Sequence, residues 1–283
     1  MRCSPVVVCV LMCSLTGICA EHPQVAGLPS EAASVKSAAL QIEPRAVFQQ
    51  SLEYVIPELI LGGEWTSVIK LTNRSNIAIP PTSVYFVDNA GNPMTTTFQT
   101  SAGNPITDVG FSFILQPGGV IEGTFFGGTN TVFGHAIVAT CSGSTCLSGL
   151  YAEVTLRNRN PTRPDFESVF PIEQPTALQY MLWDHRNGVS TTLYLVNENT
   201  STTTVSLDFT NTANQEIRTV TITMPSLSSQ ILNLNAIVPE TIGIQGTLAI
   251  RGQNSSGALV TATALRINPT NSFTPMRAFV PKL

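Results

Sequence analysis

Charged residues are scarce in this chain: they make up 11% of its 283 residues, and the formal net charge is −4. DNA- and RNA-binding proteins need a basic surface to neutralise phosphates, so we expect no nucleic-acid partner. Long hydrophobic runs are also missing. After the N-terminus no stretch reaches the roughly 20 apolar residues of a membrane-spanning helix, so we predict no transmembrane segment beyond a cleaved signal.

Cysteine is almost confined to the N-terminus, because beyond residue 20 only Cys141 and Cys146 remain. In an oxidising compartment this pair predicts one disulfide across the short Ser-Gly-Ser-Thr turn, which stabilises by about 2 kcal/mol. The alternative is a metal or redox site. It lacks a second cysteine pair and has only His135 nearby, so we predict no metal site.

Histidine, the usual acid or base at neutral pH, occurs three times, as His22, His135 and His185. His22 lies in the N-terminal arm, and the apolar neighbours of His135 favour a buried structural role. No Gly-x-Ser-x-Gly nucleophile motif is present. We therefore predict no catalytic residues and no cofactor.

The first 20 residues have the order of a secretory signal peptide. Arg2 precedes an apolar run from Val6 to Leu15, and small residues follow around Gly17 and Ala20. We therefore predict a signal peptide at 1–20 and an exported, extracellular, cell-surface or periplasmic protein. The stretch 21–45 shows no sustained periodicity and is predicted to be a linker or flexible arm.

Short β-branched and aromatic runs follow, separated by Asn, Gly, Pro and Ser clusters, which predicts an all-β fold. The pattern recurs within the chain. The strand ending at Asn73 matches the one ending at Asn197 at an offset of 124 residues, and Phe86 matches Phe209 at an offset of 123. Further on, Leu115-Gln116-Pro117-Gly118 matches Thr223-Met224-Pro225-Ser226 at an offset of 108.

The falling offset places about fifteen extra residues in the first copy, mostly within Thr95 to Ser112. Two units with seven or so short strands each predict two tandem immunoglobulin-like β-sandwich domains from an internal duplication, at 46–174 and 175–283. A single large barrel is the alternative. The linker-like Glu173-Gln174-Pro175-Thr176 favours two domains.

Several motifs of the first copy resemble a module of uncharacterised exported bacterial proteins. They are Gly62-Gly63-Glu64-Trp65-Thr66-Ser67, the strand end Leu71 to Ser75, the turn Phe86 to Pro93 and the turn Leu115 to Gly119. The second copy departs from this pattern, since its turn at Asn211 to Asn214 has no glycine. The resemblance implies a β-sandwich fold and export, and it implies no catalytic residue.

The polar turn that begins Trp183-Asp184-His185 is the best candidate for a binding site. Asp184 could orient His185, and the Trp183 ring could offer a flat apolar face to a sugar or a peptide. The alternative is a solvated loop with the tryptophan tucked under the sandwich. Two carboxylate pairs, Asp165 with Glu167 and Glu58 with Glu64, leave glycosidase chemistry open, although charged surface is the simpler interpretation.

These observations predict an exported, non-enzymatic structural or interaction protein, adhesion-like, with an unknown protein or polysaccharide as its partner. The alternative is a secreted carbohydrate-active enzyme or its accessory binding domain. The two hypotheses differ in one structural feature: an enzyme needs acids that converge in one cleft beside an aromatic face.

Overall fold

A computed structural model describes residues 53–280 apart from 101–102, 140, 143–144, 147–148, 160–164, 172–174, 254–257 and 271. The signal peptide predicted at 1–20 and the arm predicted at 21–45 lie outside the described residues and stay predictions. No helix in the described part of the chain has the length and apolar character needed to cross a membrane.

The first half of the described chain consists of twelve strands. They are β1 (Glu53–Leu61), β2 (Trp65–Asn73), β3 (Ile79–Asp88), β4 (Thr96–Thr100), β5 (Ile106–Asp108), β6 (Gly110–Leu115), β7 (Val120–Phe126), β8 (Val132–Ala139), β9 (Cys141–Ser142), β10 (Thr145–Cys146), β11 (Leu150–Asn158) and β12 (Phe166–Pro171). Burial alternates residue by residue along β11, which is what period-2 geometry gives when one sheet face meets a core.

The second half consists of eight strands and a few short helical turns. The strands are β13 (Leu178–Asp184), β14 (Ser190–Asn197), β15 (Thr203–Asn211), β16 (Glu216–Met224), β17 (Ser229–Asn233), β18 (Gln245–Gln253), β19 (Val260–Ile267) and β20 (Phe273–Arg277). The helical turns are α1 (Leu234–Ile237) and the 3-10 turns Arg186–Gly188 and Pro239–Thr241. The predicted all-β class is confirmed.

Each half packs two antiparallel sheets around a shared hydrophobic core. In the first half the strand orders are β1-β8-β3-β6 and β12-β11-β2-β7-β4-β5, and Phe86 of one sheet meets Phe98 and Phe125 of the other. In the second half the orders are β13-β18-β15-β16 and β17-β14-β19-β20. Without β4, β5 and the separate two-stranded sheet β10-β9, the strand order of the first half is the strand order of the second.

The segment Thr95 to Ser112, predicted as the extra length of the first copy, contains β4 and β5. β4 pairs with β7 and β5 with β4, so these strands widen one sheet at its edge. The segment therefore adds surface to the first half without changing the order of the other strands.

The strand order differs from that of an immunoglobulin domain. In the constant-type immunoglobulin sandwich the first strand pairs with the second and the seventh with the sixth. When β4, β5 and the two-residue strands β9 and β10 are left out of the count, the first strand of each half pairs with the sixth (β1 with β8, β13 with β18). The seventh pairs with the second (β11 with β2, β19 with β14). The term immunoglobulin-like therefore applies to the layered packing and not to the topology.

Equivalent turns in the two halves have the same hydrogen bonds. Asp88 Oδ1 accepts from the backbone N–H groups of Ala90 and Asn92, and Asn211 Oδ1 accepts from those of Ala213 and Gln215. Glycine is absent from the second turn because Asn214 takes the left-handed conformation (φ 58°) that Gly91 has in the first (φ 90°). The sequence difference at this turn is therefore not a structural difference.

At the next turn, the hydrogen bonds align the two halves one residue further along the second half than the sequence match predicted. The amide of Asn73 donates to the carbonyls of Leu115 and Gln116, whereas the amide of Asn197 donates to those of Met224 and Pro225. Gln116 therefore corresponds to Pro225, and the two prolines of the predicted match do not coincide.

That shift makes Leu227 the counterpart of Gly118, and both have a positive φ. A left-handed leucine costs about 1–2 kcal/mol. Its side chain is buried against the outer face of the first sandwich, where it meets Tyr85, Val87 and Ile137. Burying a leucine gains about 1.5–3 kcal/mol, which offsets the strain, so Leu227 fastens the two halves together.

The cysteine pair falls on the two shortest strands. Cys141 of β9 stands directly opposite Cys146 of β10 in an antiparallel ladder. The side chains of both residues lie outside the described part of the chain, so the disulfide stays a prediction.

Candidate functional site

The predicted site residues Trp183, Asp184 and His185 stand at the end of edge strand β13. The Trp183 side chain is 1% exposed and packs against His185 and Phe209, with ring centroids 5.1 Å and 6.2 Å away. The expectation that its ring offers a flat face to a ligand is corrected, and the alternative interpretation, a tryptophan tucked under the sandwich, describes the position.

Strand alternation explains this burial. Met181 and Trp183 face the core, while Leu182 between them is 65% exposed. The neighbouring strand leaves room for the indole because Gly246 stands opposite Trp183, and a Cβ atom on Gly246 would lie 2.6 Å from the indole Cζ2. The tryptophan is therefore part of the core of the second sandwich.

His185 is buried and held by a defined hydrogen bond. Its Nδ1 lies 2.7 Å from Thr241 Oγ1, and that hydroxyl donates to the Val238 carbonyl at 2.6 Å. The hydroxyl can therefore only accept from the ring, which puts the imidazole proton on Nδ1. Nε2 has no hydrogen-bond partner among the described residues.

The pKa of His185 is lowered to about 4, because desolvation penalises the imidazolium. Burial likewise lowers the pKa of His135 to about 3. Both rings are therefore neutral at pH 7. We expect neither imidazole to titrate between pH 7.5 and pH 5.5 in the folded protein, measured by the ring proton resonances in NMR.

Because both histidines are buried, the stability of the fold depends on pH. Both folded-state pKa values lie below the unfolded value of about 6.5, so the stability from keeping these rings neutral is complete above pH 6.5. It is lost as the pH falls from about 6.5 through the folded-state pKa values, about 4 for His185 and about 3 for His135. Urea-unfolded protein is the control, since its histidines should titrate near 6.5. Titration of either ring near 6.5 in the folded protein would contradict its burial.

Asp184 does not orient His185, which corrects the second half of the site prediction. Its carboxylate binds Arg186 at 2.8 Å and Arg266 at 3.2 Å. The Arg186 hydrogen bond is the main reason that the pKa of Asp184 is held well below its usual range. Asp184 is therefore an ionised carboxylate that bridges two arginines, and it cannot act as an acid or a base near neutral pH.

A groove of about 530 Å³ opens between β13 and β20. Its mouth exposes apolar side chains, since Leu182 is 65% and Phe279 50% exposed. The groove is lined by Leu182, Trp183, Asp184, Thr212, Gln245, Gly246, Thr247, Arg266, Met276, Arg277 and Phe279. Two of the three predicted site residues therefore line it, while Leu182, Arg277 and Phe279 were missed because they come from positions that carry no sequence motif.

The charged residues of the lining are Arg266, Arg277 and Asp184. The carboxylate of Asp184 forms ion pairs with Arg266 and with Arg186, which lies outside the lining. A second groove of about 400 Å³ lies beside the added strands β4 and β5, and its lining includes four threonines and the exposed Phe126.

Of the four acids that could serve glycosidase chemistry, two form ion pairs and a third is buried. Glu167 binds Arg157 at 2.8 Å, and Asp165 lies 3.6 Å from Arg159. Glu58 is 1% exposed, and desolvation raises the pKa of its carboxyl well above its usual range.

The polar group beside Glu58 is the hydroxyl of Tyr194 in the second sandwich, whose pKa is raised by burial and by the Glu58 carboxyl. Among the described residues no His, Cys, Asp and Glu side chains form a group of three or more that could hold a metal ion. The groove between β13 and β20 has one carboxylate among its described lining residues, Asp184. Acids from separate strands therefore do not converge there.

No family model and no curated protein matches the chain. A search of solved structures finds a lectin from Pleurotus ostreatus in complex with GalNAc and the apo form of the same lectin. Both are 12% identical to this chain, with a TM-score of 0.16. The match covers 81% of this chain and 82% of the lectin in the complex, and 82% of both chains for the apo form. Similarity this low carries no argument about fold or function.

Proposed function

We propose that this chain is an exported, non-enzymatic interaction protein that binds a partner in the groove between β13 and β20. The observation that carries the proposal is the lining of that groove: exposed Leu182 and Phe279 at its mouth, two arginines, and one carboxylate held by ion pairs. Concave sites that combine apolar side chains with a few charged groups are typical of binding sites.

Export rests on the pattern of residues 1–20, and the duplication on the repeated motifs. The matching strand orders of the two halves and their matching turns support one unit present twice. Leu227 then has a role in the function we propose: it fixes the second sandwich, which carries the groove, to the first.

A protein partner is favoured over a glycan. Sugar sites commonly use a broad exposed aromatic face. The indole predicted for that purpose, Trp183, is buried in the core, and the exposed ring at the groove is the smaller Phe279, which stacks on Tyr180. The enzyme hypothesis depended on convergent acids beside such a face. Because Asp184 is the groove's single carboxylate and is held by two arginines, no described feature favours that hypothesis.

The test compares two exposed apolar residues on the same sandwich. Leu182 lines the groove and is 65% exposed, whereas Ile242 is 63% exposed and lies outside the lining. Purified protein is applied to arrays of extracellular proteins and of polysaccharides. We expect a saturable protein ligand that Leu182→Ser weakens about tenfold or more and Ile242→Ser leaves unchanged.

Equal effects of the two substitutions would show that the groove is not the binding surface. Binding confined to polysaccharides and lost in Leu182→Ser would keep the groove and replace the protein partner with a glycan.

A further inference from the structure

The second groove, of about 400 Å³, lies in the first sandwich and shares none of its described lining residues with the groove between β13 and β20. We call it the threonine groove. It is lined by Leu61, Met94, Thr95, Thr96, Thr97, Thr107, Phe126, Gly127, Gly128 and Val132. Sites for small ligands usually have volumes of about 300–1,000 Å³. The threonine groove therefore has the size of a ligand site.

All four hydroxyl groups of this lining come from the segment that the second half lacks. Thr96 and Thr97 belong to β4, Thr107 belongs to β5, and Thr95 directly precedes β4. The other lining residues lie in β1, β7 and β8 or in the turns beside them, and these strands have counterparts in the second half. The insertion therefore adds a set of hydroxyl groups to a lining that is otherwise apolar side chains and glycine.

Two of these hydroxyls are hydrogen-bonded to each other, and a third has no partner. Thr97 Oγ1 lies 2.8 Å from Thr107 Oγ1 across the two strands. Since each hydroxyl has one proton and two lone pairs, this pair keeps one proton and several lone pairs for a ligand. Thr96 is 5% exposed, and its Oγ1 has no hydrogen-bond partner among the described residues. Buried hydroxyls are normally hydrogen-bonded, and a polar ligand in the groove would supply the partner.

The apolar part of the lining is partly exposed. Phe126 is 45% and Val132 42% exposed. The ring of Phe126 stacks on no other described aromatic ring, whereas Phe279 of the other groove stacks on Tyr180. The Phe126 ring is therefore free to pack against a ligand.

The described lining of the threonine groove contains no charged side chain. A charged ligand would lose its hydration there without gaining an opposite charge, which is unfavourable. A purely apolar ligand would remove water from the threonine hydroxyls and leave them without partners. A neutral sugar avoids both costs, because its hydroxyls bind hydroxyls and the C–H face of its ring packs on an aromatic side chain.

We propose that the threonine groove binds a neutral sugar residue of a polysaccharide or glycan. Thr97 and Thr107 hydrogen-bond the hydroxyls of the sugar, and Phe126 packs against its C–H face. This site is additional to the protein-binding groove between β13 and β20, and it does not depend on the function proposed for that groove.

The experiment titrates the purified full chain with neutral oligosaccharides of glucose, galactose, mannose and N-acetylglucosamine, followed by isothermal titration calorimetry. An oligomer of galacturonic acid is the charged comparison. We expect saturable binding of at least one neutral oligosaccharide, with an affinity that does not change with salt, and at least about tenfold weaker binding of the acidic oligomer. In NMR spectra the bound sugar should shift the methyl resonances of Met94 and Val132.

Two substitutions remove the two kinds of contact separately. Phe126→Ala removes the aromatic ring and Thr97→Val removes one hydroxyl at nearly constant size, and each should weaken binding about tenfold. The matched controls are Val120→Ala and Thr100→Val. Val120 is 49% exposed on the same strand as Phe126, Thr100 lies on the same strand as Thr97, and both are outside the lining, so these variants should bind normally. Circular dichroism checks that all four variants are folded.

Three results would overturn the proposal. The first is that no neutral oligosaccharide binds, or that the acidic oligomer binds as well as the neutral ones. The second is that the two controls weaken binding as much as Phe126→Ala and Thr97→Val. The third is that a sugar binds without shifting the methyl resonances of Met94 and Val132, because the sugar site would then lie elsewhere. The groove between β13 and β20 is judged separately, by the comparison of Leu182→Ser with Ile242→Ser.

Discussion

Replacing Trp183 by alanine should lower the free energy of unfolding of the second sandwich by about 3–5 kcal/mol, the range for large aromatic residues truncated in a core. The indole is 1% exposed and packs against Phe209 and His185, so its removal leaves a cavity that the rigid strands around it cannot fill. Urea unfolding followed by far-ultraviolet circular dichroism measures the loss.

The matched control is the neighbouring Leu182, which is 65% exposed on the same strand. Leu182→Ala should change the free energy of unfolding by less than about 0.5 kcal/mol, as surface substitutions usually do. If the Trp183→Ala loss were below about 1 kcal/mol, the indole would not be a core residue. The comparison also decides how binding is tested: a loss of binding in Trp183→Ala would report unfolding, whereas Leu182 variants report the groove.

Replacing Asn197 by alanine should cost about 3 kcal/mol, although the residue is polar and touches no ligand. Its side-chain amide donates to the carbonyls of Ser201, Met224 and Pro225, and its Oδ1 accepts from Asn199. Each buried group that loses its partner costs about 1–3 kcal/mol, and alanine leaves several of them unpaired at once. The measurement is urea unfolding with the transition of the second sandwich followed separately.

Asn73 occupies the same position in the first sandwich, where its amide donates to Ile77, Leu115 and Gln116. Asn73→Ala should therefore cost a similar amount. Asp at either position should be at least as destabilising, because a carboxylate cannot donate to carbonyl groups. The exposed Asn76 is the control, and Asn76→Ala should be nearly neutral. A neutral Asn197→Ala would mean that the turn carbonyls are hydrated.

The sequence predicted those structural features that depend on interactions between neighbouring residues. Alternating apolar residues predicted the strand around Leu71, and asparagine and glycine clusters predicted turns such as the one after Asp88. The sequence did not predict the orientation of β13, where the apolar residues Leu182 and Trp183 are adjacent and one of them must face solvent. Room for the Trp183 indole comes from Gly246 on the neighbouring strand, more than 60 residues further along the chain, so β13 alone does not show which side chain is buried.

Glu58 illustrates the same limit with a charged residue. A glutamate between Pro57 and Leu59 looks like a surface acid in the sequence, and we considered it for catalysis. The register shift of β1 at this point and the approach of Tyr194 from the second sandwich bury it instead. The raised pKa of its carboxyl is a consequence of tertiary packing alone.

Local sequence patterns are enough to predict the all-β class, several of the strands and turns, and the motifs that the two halves share around Asn73 and Asn197. These properties follow from side-chain alternation and turn chemistry, which act over a few residues. The strand order, the burial of Trp183, the ion pairs of Asp184 and the groove between β13 and β20 are visible only in the folded chain. Each of these depends on which distant strand becomes a neighbour, and that is settled by the packing of two sheets around one core.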